Sequence, residues 1–353
     1  MLIGLIAFLA AALLTAPVRR YLVRRNVLDV PTGRSSHSVA VPRGGGASIV
    51  VVFLSVVVWL AKGNILSASL GSALTGGGLV IAAVGLLDDH FGLSARLRLP
   101  IHFAAAAWAL WKLNGMGPLH LGWMTWDWGR FGQLVALVGL VWMINLYNFM
   151  DGIDGIAGAE AVCTGGLGGL LLAWVGLGGL ATCALALAGA SAGFLAWNWP
   201  PARTFMGDVG SGFLGFTFGV LAIASAKERS FLLWPWLILL SVFIADSTLT
   251  LIRRLIVGER WYKAHCTHAY QHAARQWKSH SKVTLTIVAV NVVWLFPLAW
   301  AACLWPATGP LLAAVALAPL VCLALRYHAG RQPPPTKANG YGAKLRVAAG
   351  SQV

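Results

Sequence analysis

Apolar runs long enough to cross a bilayer recur along almost the whole sequence, and they set the class of fold before any motif is considered. A bilayer core is spanned by about 20 predominantly apolar residues, within a range of about 17 to 25. Candidate spans fall at 2–18, 46–61, 71–87, 99–114, 131–147, 157–176, 179–197, 211–226, 231–251, 283–304 and 309–325. Small residues dilute the third, fourth and eighth. The pattern predicts an all-α polytopic integral membrane protein with about 11 transmembrane helices. Composition agrees: 58% of the 353 residues are hydrophobic and 10% are charged, whereas a soluble domain carries about 25% charged residues.

The basic residues orient the helices. With this span count, all the Lys and Arg residues except Lys62, Lys112, Arg130, Lys227 and Arg229 fall in one set of loops. By the positive-inside rule that set is cytoplasmic, so the N-terminus lies outside and the C-terminus inside. The formal net charge of +15 therefore reads first as topology and affinity for anionic lipid, and not as nucleic-acid binding. Residues 1–325 form a single transmembrane domain with cytoplasmic loops at 19–45, 88–98, 145–158, 198–210 and 252–282. Residues 326–353 are a basic, proline-bearing tail expected to be disordered. The run from Leu2 to Val18 lacks a leading basic region and an evident cleavage site, so it reads as a retained first helix. Trp123, Trp126 and Trp128 read as an interfacial belt on the outer side, with room for a short hairpin near 118–130. The five cysteines include no CxxC pair, and free thiols are expected.

The same topology gathers acids from distant segments. Asp29, Asp88, Asp89, Asp151, Asp154, Glu160, Asp208, Asp246 and Glu259 fall at or near the cytoplasmic ends, and only Asp127 and Glu228 fall outside. Such a face suits an anionic water-soluble ligand, with a metal bridging the like charges. One stretch concentrates the chemistry: Asn145-Leu-Tyr-Asn148-Phe-Met-Asp151-Gly-Ile-Asp154-Gly155. If the helix continues through it, a spacing of three puts two carboxamides and two carboxylates on one face. Asp88-Asp89 close the third span, where like charges repel and the helix dipole is unfavourable. Asp208 opens the eighth span, as an N-cap or a site acid, with Asn198 and Phe205 upstream to meet a nucleobase. In loop 26–46, Arg34, His37 and Arg43 precede Gly44–Gly46 and suit phosphate oxygens, although positive-inside loops share this look. Asp246 reads equally as a partner of Arg253 or Arg254 and as a site acid. His265, His268 and His272 follow helical spacing; cationic or hydrogen-bonding histidines around a diphosphate fit better than a zinc site.

Together these segments resemble the polyprenyl-phosphate N-acetylhexosamine-1-phosphate transferases. Four motifs carry the resemblance: Pro42-Arg-Gly-Gly-Gly46, Gly85-Leu-Leu-Asp-Asp89, the Asn145–Gly155 stretch, and Phe205-Met-Gly-Asp-Val-Gly-Ser211. The spaced histidines followed by Tyr270-Gln271 look like the O-antigen-initiating branch. The resemblance implies transfer of a sugar 1-phosphate from a UDP-N-acetylhexosamine to undecaprenyl phosphate, releasing UMP, with Mg²⁺ or Mn²⁺ required. It implies that Asp208, with Asp151, ligates metal, and that Asp88, supported by Asp89, receives or orients the acceptor's proton. Asn145, Asn148, Asp151 and Asp154 would hold nucleotide and phosphates. Phe205 would stack on uracil with Asn198 beside it, and His37, Arg43, His265 and His268 would contact substrate. The implied setting is the bacterial inner membrane, with the active site facing the cytoplasm and a homodimer by family analogy. An ion-coupled carrier or a lipid-linked saccharide flippase is the alternative. Carriers, however, place carboxylates near the midplane with repeat symmetry.

Overall fold

A computed structural model of the protein describes residues 2–31, 39–259 and 265–332. His37 and Arg34 lie outside the described residues, as do Arg260, Lys263 and most of the tail. The described chain is helical, with two short antiparallel strand pairs. Its helices, in order, are α1 Leu2–Arg24, α2 Ala47–Lys62, α3 Ala68–Phe91, α4 Ala95–Lys112, α5 Gly129–Met150, α6 Ile156–Trp174 and α7 Gly178–Asn198. After these come α8 Asp208–Glu228, α9 Ser230–Leu239, α10 Ser241–Ile256, α11 Ala269–Trp277, α12 His280–Leu304 and α13 Pro306–Arg326.

Every expected span coincides with helix, but not all are equally fit to cross a bilayer. Among the described residues, eight helices are long and apolar enough, and a ninth span is counted if α9 and α10, bent by 74° at Leu240, are taken as one. The shortfall from eleven lies in α2, which has 16 residues, and α4, which carries Arg96, Arg98, Pro100 and Lys112. Helix α1 runs on to Arg24, so Arg19, Arg20 and Arg24 stand on a helix and not in a loop. Long basic side chains allow this, because their stems lie along apolar surface while their heads reach water.

Helix α8 is the axis of the bundle. Its apolar window is entirely buried, with α3 and α5 packed along it. Helices α6 and α7 pack on each other, and α1 lies along α7. Gly and Ala runs in these segments let backbones approach closely. At one end of the bundle, strands Leu28–Asp29 and Val41–Pro42 pair antiparallel. A parallel bridge joins Arg43 to Phe205 and ties this loop to the segment before α8. At the other end, Leu119–His120 pairs with Thr125–Trp126, a hairpin within the stretch where one was expected. Trp123 at its tip is 92% exposed. The five cysteines are free thiols.

Candidate active site

The site begins where the end of α3 meets the start of α8. Gly85 makes the approach possible: a Cβ there would stand 2.5 Å from the backbone oxygen of Asp208. The last turn of α3 then delivers the Asp89 carboxylate to the N-terminus of α8, where it accepts from the backbone N–H of Asp208 at 2.9 Å and of Val209 at 3.1 Å. Two otherwise unpaired helix-start donors are satisfied by a carboxylate from another helix. This explains an acid at the C-terminal end of its own helix. The dipole it answers to is the positive end of α8. Gly207, at φ +74°, leaves room, since a Cβ would come within 2.4 Å of Asp89 Oδ2.

Two arginines lace the carboxylates together. Arg43 Nε donates to Asp89 Oδ1 at 2.8 Å, and another of its nitrogens donates to Asp208 Oδ1. Arg98 Nη1 donates to Asp88 Oδ2 at 2.6 Å and also to Asp208 Oδ2. Asp208 therefore lies between two guanidinium groups, and Asp88, Asp89 and Asp208 share one cluster. Burial by itself would lower the Arg43 pKa, but Asp208 and Asp89 outweigh it and hold Arg43 above its ordinary value. It stays charged at every working pH. A small cavity of about 20 Å³ beside the cluster is lined by Arg98, His102, Asn145, Asn148 and Asp208 among others. It has room for roughly one water.

The expectation that Asn145, Asn148, Asp151 and Asp154 share one helical face is not met. Helix α5 ends at Met150, and α6 begins at Ile156 after a turn with Gly155 at φ +80°. The turn is pinned from outside. Asn198 Oδ1 accepts from Gly155 N–H at 3.0 Å, and Tyr270 OH donates to the carbonyl of Phe149 at 2.9 Å. Asn148 remains on α5 and donates to Ser211 Oγ at 3.2 Å, beside Asp208. Asn145 donates back to the Val141 carbonyl at 2.7 Å. Asp151, just past the helix, has its carboxyl pKa raised well above the ordinary value. Burial is the main cause, and Asp208, Asp89 and Asp154 add to it against Arg43. Asp154 faces elsewhere: it accepts from Ala202 N–H at 3.1 Å, and His280 Nδ1 lies 3.5 Å from it.

Asn198 is 2% exposed, and its amide is used within the protein, between Gly155 and the Thr204 carbonyl, to which it donates at 3.0 Å. Phe205 is held by its backbone: its N–H donates to Pro42 O at 2.8 Å and its carbonyl accepts from Gly45 N–H at 2.9 Å.

The histidines do not share a helical face either, because α11 starts only at Ala269. His265 precedes the helix and His268 caps it. The two rings stack with centroids 5.0 Å apart, against Phe149. Behind them Asp246 plays the part that Asp89 plays at α8. Its carboxylate accepts from Ala269 and Tyr270 N–H, both at 2.9 Å, and lies 3.3 Å from His268 Nδ1. Arg253 and Arg254 engage Ala329 O and Glu259 instead. Burial, then the charge of His268 and Arg254, lowers the His265 pKa to about 3, so its ring is neutral. His272 bonds to the Arg331 carbonyl at 3.1 Å.

One positioning residue, Arg98, escapes the sequence reading, whereas Asp246 reads there equally as a partner of Arg253 or Arg254 and as a site acid. Arg98 did leave a signal: a basic residue in the first turns of a helix opposes the dipole and needs a counter-charge. As for a metal, the hard oxygen donors of this cluster are of the kind Mg²⁺ takes. As they stand, no three His, Cys, Asp or Glu side chains among the described residues are grouped closely enough to hold an ion. Arg43 and Arg98 stand between the carboxylates instead.

Comparison with known proteins agrees with this geometry. The model of glycosyl transferase family 4 matches residues 71–226, from α3 to α8. A probable undecaprenyl-phosphate N-acetylglucosaminyl 1-phosphate transferase of Bacillus subtilis is 26% identical over 312 residues, covering 82% of this chain and 81% of the relative. A decaprenyl-phosphate N-acetylglucosaminephosphotransferase of Mycolicibacterium smegmatis is 27% identical over 319 residues, 81% of this chain and 78% of the relative. A phospho-N-acetylmuramoyl-pentapeptide-transferase of Moorella thermoacetica is similar more locally, 52% identical over 60 residues, 17% of this chain and 19% of the relative.

Proposed function

From a chain that belongs to the polyprenyl-phosphate hexosamine-1-phosphate transferases of glycosyl transferase family 4, we propose the following reaction. A UDP-N-acetylhexosamine gives its sugar 1-phosphate to undecaprenyl phosphate, forming the lipid-linked diphosphate sugar and UMP. The observation that carries this reading is the convergence of Asp88, Asp89 and Asp208 with Arg43 and Arg98 where α3 meets α8. Phosphoryl transfer asks little covalent chemistry of the protein and much positioning and charge neutralisation. A phosphate oxygen of the acceptor attacks the β-phosphorus while the bond from that phosphorus to the bridging oxygen breaks, and UMP leaves. Asp88, at the rim of the cluster, takes or orients the acceptor's proton. Arg43 and Arg98 are the donors nearest the developing phosphoryl charge.

Three carboxylates, Asp88, Asp89 and Asp208, face two guanidinium groups, so an incoming diphosphate meets excess negative charge. That imbalance supports a requirement for Mg²⁺, replaceable by Mn²⁺; loss of turnover in EDTA and recovery on adding Mg²⁺ is the expected result. Arg19, Arg20, Arg24, Arg96 and Arg203 lie toward this end, which supports an active site on the cytoplasmic side of a bacterial inner membrane. The spaced histidines before Tyr270-Gln271 support initiation of O-antigen or a related envelope polysaccharide. The carrier and flippase readings have no such support, since every relative described above is named as a transferase.

The decisive assay is UMP release from a panel of UDP-sugars by detergent-solubilised protein, with and without undecaprenyl phosphate. Release that depends on the lipid is expected; absence of UMP with every donor would discard the reaction.

A further inference from the structure

A second polar cluster lies below the site, inside the bundle, and the reaction does not use it. Glu160 is one turn into α6, and Asn291 is on α12; both are 0% exposed. Asn291 Nδ2 donates to Glu160 Oε2 at 2.8 Å. Thr164, also 0% exposed, follows Glu160 by four residues on the same face of α6, with its hydroxyl near the carboxylate. Three buried oxygens here, Glu160 Oε1, Thr164 Oγ1 and Asn291 Oδ1, lack a partner of full hydrogen-bond geometry, with Thr164 Oγ1 lying close to the Glu160 carboxylate. Buried polar atoms are nearly always paired, and a buried carboxylate without a counter-charge is costly. None of the ion pairs among the described residues involves Glu160.

We propose that Glu160, Thr164 and Asn291 form a binding site for one dehydrated alkali cation of the Na⁺ class, held between α6 and α12. Hard oxygens are the donors such an ion takes. One carboxylate balances one positive charge, so the occupied site is neutral, whereas a divalent ion would leave a surplus charge buried. A proton is also singly charged, but it bridges only two of the three oxygens. The backbone supports the site as well. Helix α12 widens into a π-turn at Val290–Leu295, a distortion that recurs at functional positions, and Asn291 lies within it. The same helix grips the active-site turn, through Thr284 Oγ1, which donates to the Asp154 carbonyl at 3.2 Å, and through His280. The ion would thus fasten α6 to α12 directly beneath the Asp154 turn.

The test is a binding measurement on the full chain, independent of transferase activity. Equilibrium dialysis with radioactive Na⁺ is expected to find one saturable site per chain. The melting temperature is expected to rise in NaCl relative to N-methylglucamine chloride at equal ionic strength. Glu160→Gln keeps the shape and a bond to Asn291 but loses the charge, and it should weaken Na⁺ binding by about tenfold or more. Thr164→Val should weaken it less, and the wild-type measurements stand even if Glu160→Gln fails to fold. No bound Na⁺ and equal melting temperatures in both salts would overturn the proposal. So would a carboxylic-acid infrared band, present in the wild type in NaCl and absent from Glu160→Gln, because a proton would then hold the place of the ion.

Discussion

Two helices in this protein begin under a carboxylate that belongs to a different helix. At α8, Asp89 holds the N–H groups of Asp208 and Val209; at α11, Asp246 holds those of Ala269 and Tyr270. Both caps place a candidate site residue, Asp208 in the first case and His268 in the second. They differ in what else the acid touches. Asp89 also anchors a permanent cation, Arg43, which reaches on to Asp208. Asp246 anchors an imidazole and the Thr250 hydroxyl. The first cap therefore sets charge as well as position, while the second sets the position of the His268 ring.

This contrast can be broken by substitution. Asp208→Asn removes the group that both guanidiniums share, and turnover should fall by about 100- to 1,000-fold or more, measured as UMP release, in protein that still inserts and purifies. Near-normal turnover would remove Asp208 from the chemistry. Asp89→Asn keeps one acceptor for the cap but leaves Arg43 with Asp208 as its one charged partner in the cluster. We expect a loss of about 1.5–3 kcal/mol, the scale of hydrogen bonds to charged groups, in the denaturation midpoint, together with lower turnover. Unchanged stability would show that the cap contributes little. Asp246→Asn should cost about 1 kcal/mol, as lost helix caps do, and should lower turnover less than Asp89→Asn does. If it matches Asp89→Asn in turnover, the two caps do the same job and the distinction fails.

The smallest effect concerns acid stability. The folded-state pKa of His265 is lowered to about 3, below the ordinary value near 6.5. Between those values the unfolded chain binds a proton that the folded chain does not, so stability is full above about pH 6.5 and declines as pH falls. Melting curves from pH 7 to 5 should decline less steeply in His265→Gln than in wild type. Parallel curves would place His265 in water in the folded protein.

How far the sequence could be read follows from the range of the forces involved. Helices announce themselves by local apolar runs, and the gathering of acids at one end followed from span counting. Asp88 and Asp89 stood out because acids sit awkwardly at the C-terminal end of a helix, and Asp208 because it follows a glycine at a helix start. What escaped was non-local. The Asn145–Gly155 stretch has helical spacing, yet Asn198 and Tyr270, far along the chain, pull its second half into a turn. The histidines keep a helical interval, but Asp246 sets where α11 begins. Asp89 and Asp246 are both acids near a cluster of cations; only the folded arrangement reveals that each serves a neighbour's helix.

One more property follows from the position of α8. The residue with most of the chemistry stands on the helix whose flanks touch only protein. Thinning or thickening of the surrounding lipid acts on α1 and the other outer helices, whose side chains meet the acyl chains. A solid inner rod is insulated from that push. Turnover should therefore vary little among vesicles of different acyl-chain length, as long as the acceptor lipid can still reach the site.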